Sequence, residues 1–239
     1  MIKEIWGEMM NLFEKEAWIN QAAEELENAS AEAVLRTAVD KFPNLTLACS
    51  FGAEDVVLVD LLHKVKPEAD VFYLDTGLHF IETYETRDRL ESRYQKRFIQ
   101  VLPKLTLDEQ LALHGPELWS SDPNGCCKIR KVDQLTEILS HYEAWVTGIR
   151  REQAPTRANS RKVEYDTKFG LVKFNPLADW TIEDVWQYIR EHELIYNPLH
   201  DQNFPSIGCE KCTRPVLAGE DPRAGRWAGF EKTECGLHK

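Results

Sequence analysis

Between residues 45 and 148 the sequence alternates short apolar runs with longer stretches of helical period, and that order narrows the fold more than any other feature. "LTLAC" (45–49), "DVFYL" (70–74), "FIQVL" (98–102) and "AWVTG" (144–148) read as strands. Between them, residues 53–65 set Val57, Leu58, Leu61, Leu62 and Val65 on one stripe, and residues 79–96 form a second helix. Ile129, Val132, Leu135 and Leu139 define a third, beginning after Cys127. Strand–helix alternation predicts an α/β fold, a parallel sheet with helices on both faces. Residues 150–180 are less regular, with "LVKFNPL" as one more candidate strand. "TIEDVWQYIREHEL" is a clear helix, because Thr181 and Asp184 form a capping-box pair ahead of Val185, Trp186 and Ile189. Upstream, residues 1–41 read as a helical segment broken at "NAS", with Ser30 as a cap. Three parts are expected: helices 1–41, an α/β core 42–196, and a Pro-, Gly- and Cys-rich extension 197–239 ending in a mobile tail.

With 239 residues, 43% of them hydrophobic, the chain can bury a full core. No apolar run reaches the roughly 18 residues of a membrane span, and the first twenty residues scatter acids among apolar positions like an amphipathic helix and unlike a secretory signal. A cytoplasmic, reducing setting is therefore expected, in which the six cysteines are thiols, metal ligands or catalytic groups and not disulfides. The formal charge of −11 argues against general nucleic-acid binding. Basic residues nonetheless gather in "KIRK", "GIRREQAPTRANSRK" and "TRPVLAGEDPRAGR". Three basic islands in an acidic protein point to one small polyanion in a focused site, with solvated surface charge as the alternative.

Three constellations carry chemistry. "ACSFGAEDVVLVDLL" ends a strand at Cys49 and starts a helix near Ala53, offering backbone N–H groups and a helix N-terminus to an anion, with Gly52 allowing close approach. No Gly-Lys-Ser/Thr follows, so an ordinary P-loop is excluded. "LDTG" (74–77) and "TGIRREQAPTR" end two other strands at the same sheet edge. Next, Cys126 and Cys127 stand side by side, and Cys209 and Cys212 form a Cys-x-x-Cys pair. Such a set suits an iron–sulfur cubane, a zinc ion or unligated thiols; adjacent cysteines fit a single small ion awkwardly, which favours the larger cluster. Finally, "ECGLHK" offers Cys235 as a nucleophile on a flexible arm, its thiolate opposed by Glu234 and favoured by His238 or nearby arginines, or else as an incidental exposed thiol.

Taken in order, "SFGAEDVVL", "LDTG", "CCKIRK", "TGIRREQAPTR", "GCEKCT", "RAGRW" and "ECGLH" resemble the assimilatory adenylyl-sulfate and phosphoadenylyl-sulfate reductases, in their iron–sulfur-bearing branch. The resemblance covers residues 45–239 and implies an adenine nucleotide α-hydrolase-like fold related to ATP pyrophosphatases, whose Ser-Gly-Gly-x-Asp-Ser loop is replaced here by Ser50, Phe51, Gly52, Ala53, Glu54 and Asp55. It implies that Cys126, Cys127, Cys209 and Cys212 hold a [4Fe–4S] cluster, and that Cys235 attacks the sulfate sulfur of adenosine 5′-phosphosulfate. AMP leaves, and thioredoxin or a glutaredoxin-like reductant then releases sulfite from the cysteine S-sulfonate. Lys131 and His238 join Cys235 as catalytic candidates. Ser50, Phe51, Gly52, Asp55, Leu74, Thr76, Gly77, Gly148, Arg150, Arg157, Arg223 and Arg226 are the substrate-binding candidates. The 3′-phosphorylated substrate, a non-catalytic nucleotide sensor, an ATP-dependent adenylating enzyme and a homo-oligomer remain open alternatives.

Overall fold

The computed structural model describes residues 12–232 and 234–237. Two helices open it, α1 (Leu12–Glu25) and α2 (Ala31–Lys41), and the Ser30 side chain caps the second by accepting from the Ala33 N–H at 3.2 Å. There follow β1 (Leu45–Ala48), α3 (Ala53–Val65), β2 (Asp70–Leu74), α4 (Ile81–Tyr94) and β3 (Ile99–Val101), in the expected alternation. Helices α5 (Leu107–His114), α6 (Leu118–Ser121) and α7 (Pro123–Cys127) lead through a π-helical turn, Lys128–Val132, into α8 (Asp133–Leu139). Then come β4 (Ala144–Val146), β5 (Val163–Asp166), β6 (Leu171–Phe174) and α9 (Ile182–Glu191). Both capping-box bonds of Thr181 and Asp184 form at the start of α9. Beyond it the described chain is irregular apart from two 3₁₀ turns, Pro198–Gln202 and Glu210–Cys212.

The strands form one sheet in the order β3-β2-β1-β4-β6-β5, parallel except for β5, which pairs antiparallel with β6 at the edge. Strand side chains alternate between the two faces, and the burial follows. Val71 and Tyr73 join the large core with Val34, Leu35, Val56, Val57 and Leu58, while Phe72 joins a second core with Trp145, Leu135 and Leu139. Helices therefore cover both faces. Because β1 leads toward β2 and β3 while its other neighbour is β4, the winding reverses between β1 and β4, and a crevice opens at their carboxyl ends. Among the described residues no helix is long and apolar enough to cross a membrane.

One local expectation changes. The helix carrying Cys126 and Cys127 starts before them, because Asp122 caps it by accepting from the Asn124 and Gly125 N–H groups and Pro123 occupies its first turn. The positive φ in the first strand–helix turn belongs to Phe51, at 63°, and not to Gly52, whose φ is −74°. Phe51 holds that conformation with its ring buried against Tyr73 and Phe98.

Candidate active site

A cavity of about 510 Å³ lies in the crevice at the carboxyl ends of the strands. The turn after β1 supplies Ser50, Phe51 and Gly52, the end of β2 supplies Leu74, and the loop after β4 supplies Gly148, Arg150 and Arg157. From beyond α9 come Arg223 and Arg226, and the tail contributes Cys235. Lys131 reaches the same space from the π-helical turn. A site assembled from six separate stretches is thus a product of topology.

Asp55 organises the first loop. Its Oδ2 accepts from the Ser50 N–H at 2.5 Å and the Ser50 hydroxyl at 2.6 Å, folding the turn back on the first turn of α3. Burial pushes its carboxyl up to about 6, against the pull of those two bonds. Gly148 packs directly on it: a Cβ there would stand 2.5 Å from Asp55 Oδ1.

The cations of the cavity fall into two groups. Arg150 is buried and pairs with Glu54 at 2.8 Å and Glu152 at 2.5 Å, so its charge is spent on bracing the loop after β4 against α3. Arg157 and Arg223 both hold Glu234, at 2.8 and 3.1 Å. Lys131 and Arg226, by contrast, form no ion pair with a carboxylate among the described residues. Arg226 donates to Ser206 Oγ at 3.1 Å and the Ile207 carbonyl at 3.2 Å and lies over the Trp227 ring, while its Nε is buried without a hydrogen-bond partner among the described residues. Burial alone would lower the Lys131 ammonium, but the sulfurs of Cys209, Cys235 and Cys127 outweigh it and hold it above its ordinary value.

Thr76 and Gly77 do not line this cavity. They turn toward the cysteines: Thr76 Oγ1 lies 3.3 Å from Cys209 Sγ, Gly77 takes a φ of 68°, and the buried Arg130 guanidinium ties the turn down by donating to the Thr76 carbonyl at 2.5 Å. His238 lies outside the described residues. His79, which sequence reasoning passed over, lines the cavity; its Nε2 is 2.9 Å from the Leu74 carbonyl, and its backbone bridges to Cys209. Burial, with Lys131 nearby, pushes its imidazole down to about 4, so it is neutral at pH 7. Its position two residues past "LDTG" was the only available signal.

A second, smaller cavity is lined by Cys126, Cys127, Cys209 and Cys212, and Lys131, Arg226 and Trp227 form the wall it shares with the first. No disulfide joins the four cysteines. Burial pushes the Cys126 thiol up to about 12 and Cys212 up to about 11, the other sulfurs of the set adding to both. As bare thiolates they would repel one another in a desolvated pocket, and a bound cationic centre removes that penalty. Four cysteine sulfurs lining one cavity form the kind of soft donor set that suits an iron–sulfur cluster or a zinc ion.

Residues 44–215 match the phosphoadenosine phosphosulfate reductase domain. An adenosine 5′-phosphosulfate reductase of Halalkalibacterium halodurans is 48% identical over 92% of this chain and 96% of its own length. Adenosine 5′-phosphosulfate reductase 1 of Bacillus subtilis is 54% identical over 82% of this chain and 84% of its own. Among solved structures, phosphoadenylyl-sulfate reductase from Candida auris, in a phosphate complex, superposes with a TM-score of 0.73 at 30% identity, covering 84% of this chain and 96% of that one.

Proposed function

The chain belongs to the phosphoadenosine phosphosulfate reductase domain family, and on that footing we propose that it reduces adenosine 5′-phosphosulfate to sulfite and AMP in sulfate assimilation, using thioredoxin or a glutaredoxin-like dithiol. The observation that carries the mechanism is that Cys235, from the far end of the chain, lines the nucleotide-sized cavity together with Lys131 and Arg226. The relatives named for the 5′-phosphosulfate, at about half identity over most of the chain, favour it over the 3′-phosphorylated substrate.

The adenosine lies along Ser50, Gly52, Leu74 and Gly148, and the phosphosulfate faces Lys131 and Arg226, with Arg223 beside Cys235. The Cys235 thiolate attacks the sulfate sulfur. A sulfur–sulfur bond forms, the bridging sulfur–oxygen bond breaks, and AMP leaves with the electron pair. Transfer of this kind spreads negative charge over the equatorial oxygens, so it asks for positioning and cationic donors more than for a base. A thiolate of the reductant then attacks Cys235 Sγ, sulfite leaves with the bonding pair, and the reductant's second thiol resolves the mixed disulfide. Sulfur gains the two electrons that the dithiol loses.

Cys126, Cys127, Cys209 and Cys212 are the residues to hold a [4Fe–4S] cluster. Bound there, it would supply a fixed charge beside Lys131, which lines both cavities. Cys235→Ser tests the reading. The variant should keep its iron and its nucleotide affinity yet release no sulfite, whereas wild-type protein given substrate without reductant should gain about 80 Da at Cys235, one sulfonate on a covalent intermediate. An active Cys235→Ser enzyme, or an adduct found only at Cys49, overturns it.

A further inference from the structure

The nucleophile is one residue from an acid, and that acid is among the most completely engaged side chains in the cavity wall. The Glu234 side chain is 2% exposed. Arg157 grips it through two bonds, Nε to Oε1 at 2.9 Å and Nη2 to Oε2 at 2.8 Å; Arg223 Nη2 adds a third at 3.1 Å, and the Thr156 hydroxyl a fourth at 3.3 Å. The arm is fixed on both sides of this point. Lys232 donates to the Pro123 carbonyl at 2.8 Å, Lys168 donates to the Gly236 carbonyl, and Leu237 packs on the core of Phe72, Leu135 and Trp145. Gly236, at a φ of 85°, turns the chain immediately after Cys235.

We infer that Glu234 is a positioning residue, a latch that docks the C-terminal arm on Arg157 and Arg223 and so seats Cys235 beside Lys131, leaving Lys131 and Arg226 to receive the substrate's anion. A carboxylate taken out of water is stable only with its charge and lone pairs answered, and here two guanidinium groups and a hydroxyl answer them. Release of the latch would leave two partly buried arginines without the carboxylate they share, so docking and seating are coupled. The geometry also separates two anion sites within one cavity: one taken by the chain's own carboxylate, the other open.

The inference rests on Cys235 being the nucleophile, and the test separates the two. In the full-length, cluster-loaded protein, Glu234→Gln and Glu234→Asp are compared with wild type by iodoacetamide alkylation of Cys235 without nucleotide, read by peptide mapping at the high-pH plateau so that thiol ionisation does not enter. Glu234→Gln should alkylate about ten- to hundredfold faster, the change in docking expected when a buried charge-assisted contact is lost. In single turnover it should form the S-sulfonate more slowly by a similar factor, with AMP affinity unchanged, and Glu234→Asp should recover part of both. If Glu234→Gln fails to fold, the Asp variant is read by the same two measurements. Alkylation at the wild-type rate overturns the latch, and so does unimpaired sulfonation with tightened AMP binding, which would make Glu234 a competitor of the substrate. If wild type itself forms no adduct, the proposed function falls, and the alkylation rates still decide the latch.

Discussion

Gly148→Ala adds a single methyl group where the structure leaves least room for one. Its Cβ would stand 2.5 Å from Asp55 Oδ1 and 2.9 Å from Glu54 Cβ, whereas a carbon and an oxygen approach comfortably only to about 3.3 Å. Asp55 cannot swing away, because Ser50 holds its other oxygen twice, at 2.5 and 2.6 Å. Glu54 is held by Arg150 at 2.8 Å and by Gln153 at 2.9 Å. The loop after β4 must therefore retreat by somewhat under an ångström, at a cost of about 1 to 3 kcal/mol, the range for overpacking a tight interior contact. That retreat carries a wall of the cavity with it, and a misplacement of this size typically lowers kcat/KM by about a hundredfold. Gly52→Ala is the control for stability: its Cβ would meet nothing nearer than 3.6 Å, at a φ any residue adopts. Urea unfolding of the anaerobically prepared proteins and a sulfite-release assay measure both effects. If Gly148→Ala melts like wild type and turns over normally, the contact with Asp55 is not a constraint, and the account of how this loop is placed fails.

Three further outcomes are expected. Anaerobically prepared wild type should contain about four irons per chain; Cys127→Ser should lose that iron together with sulfite release, and stoichiometric zinc in the wild type would refute the cluster. Arg226→Ala should lower kcat/KM by the equivalent of about 2 to 4 kcal/mol, as when one preorganised donor to a reacting anion is removed, with iron content unchanged; wild-type kinetics would return Arg226 to a structural role. Asp55 has a folded pKa of about 6 against an ordinary 3.8, so the folded state binds the extra proton, and this residue's contribution to stability is present in acid and lost as pH rises through 6. The shift corresponds to about 3 kcal/mol, and the melting temperature of Asp55→Asn relative to wild type should rise between pH 4.5 and 7.5; a pH-independent difference would refute the shift.

The parallel strands were legible because each is a short apolar run and most are followed by a stretch of helical period, so local pattern and global topology agree. Ser30 and the Thr181/Asp184 pair were legible for a similar reason: a cap is a contact within one turn. The edge strand β5 escaped notice because "VEYD" buries only Val163 fully and carries two acids, which an antiparallel edge tolerates and a sequence pattern does not register. Helix α7 was placed too late, since its start depends on Asp122 folding back over Gly125. A Cβ at Gly125 would stand 2.3 Å from an Asp122 carboxylate oxygen, and nothing apolar marks that turn. Arg150 and Arg157 lie in one motif seven residues apart, yet they have different partners. Which carboxylate each meets is settled by contacts 96 and 77 residues away in sequence, and no spacing rule carries that information.

The three basic islands contribute to one cavity in unequal ways, and the inequality explains how a chain of net charge −11 can hold a small dianion. The second island sends Arg150 and Arg157 to the cavity wall, but carboxylates of the protein itself meet both. The first and third send Lys131 and Arg226, which the protein leaves without carboxylate partners on the wall shared with the four cysteines. An open cation in a desolvated wall costs stability unless something anionic lies near. Here the cysteine sulfurs are near on one side, and under the proposed function the nucleotide's phosphosulfate would arrive on the other. The same two side chains line both cavities, so on that proposal the placement of Cys126 and Cys127 in the turn before Lys131 would couple the cysteine site to the sulfur chemistry through the protein's own cations.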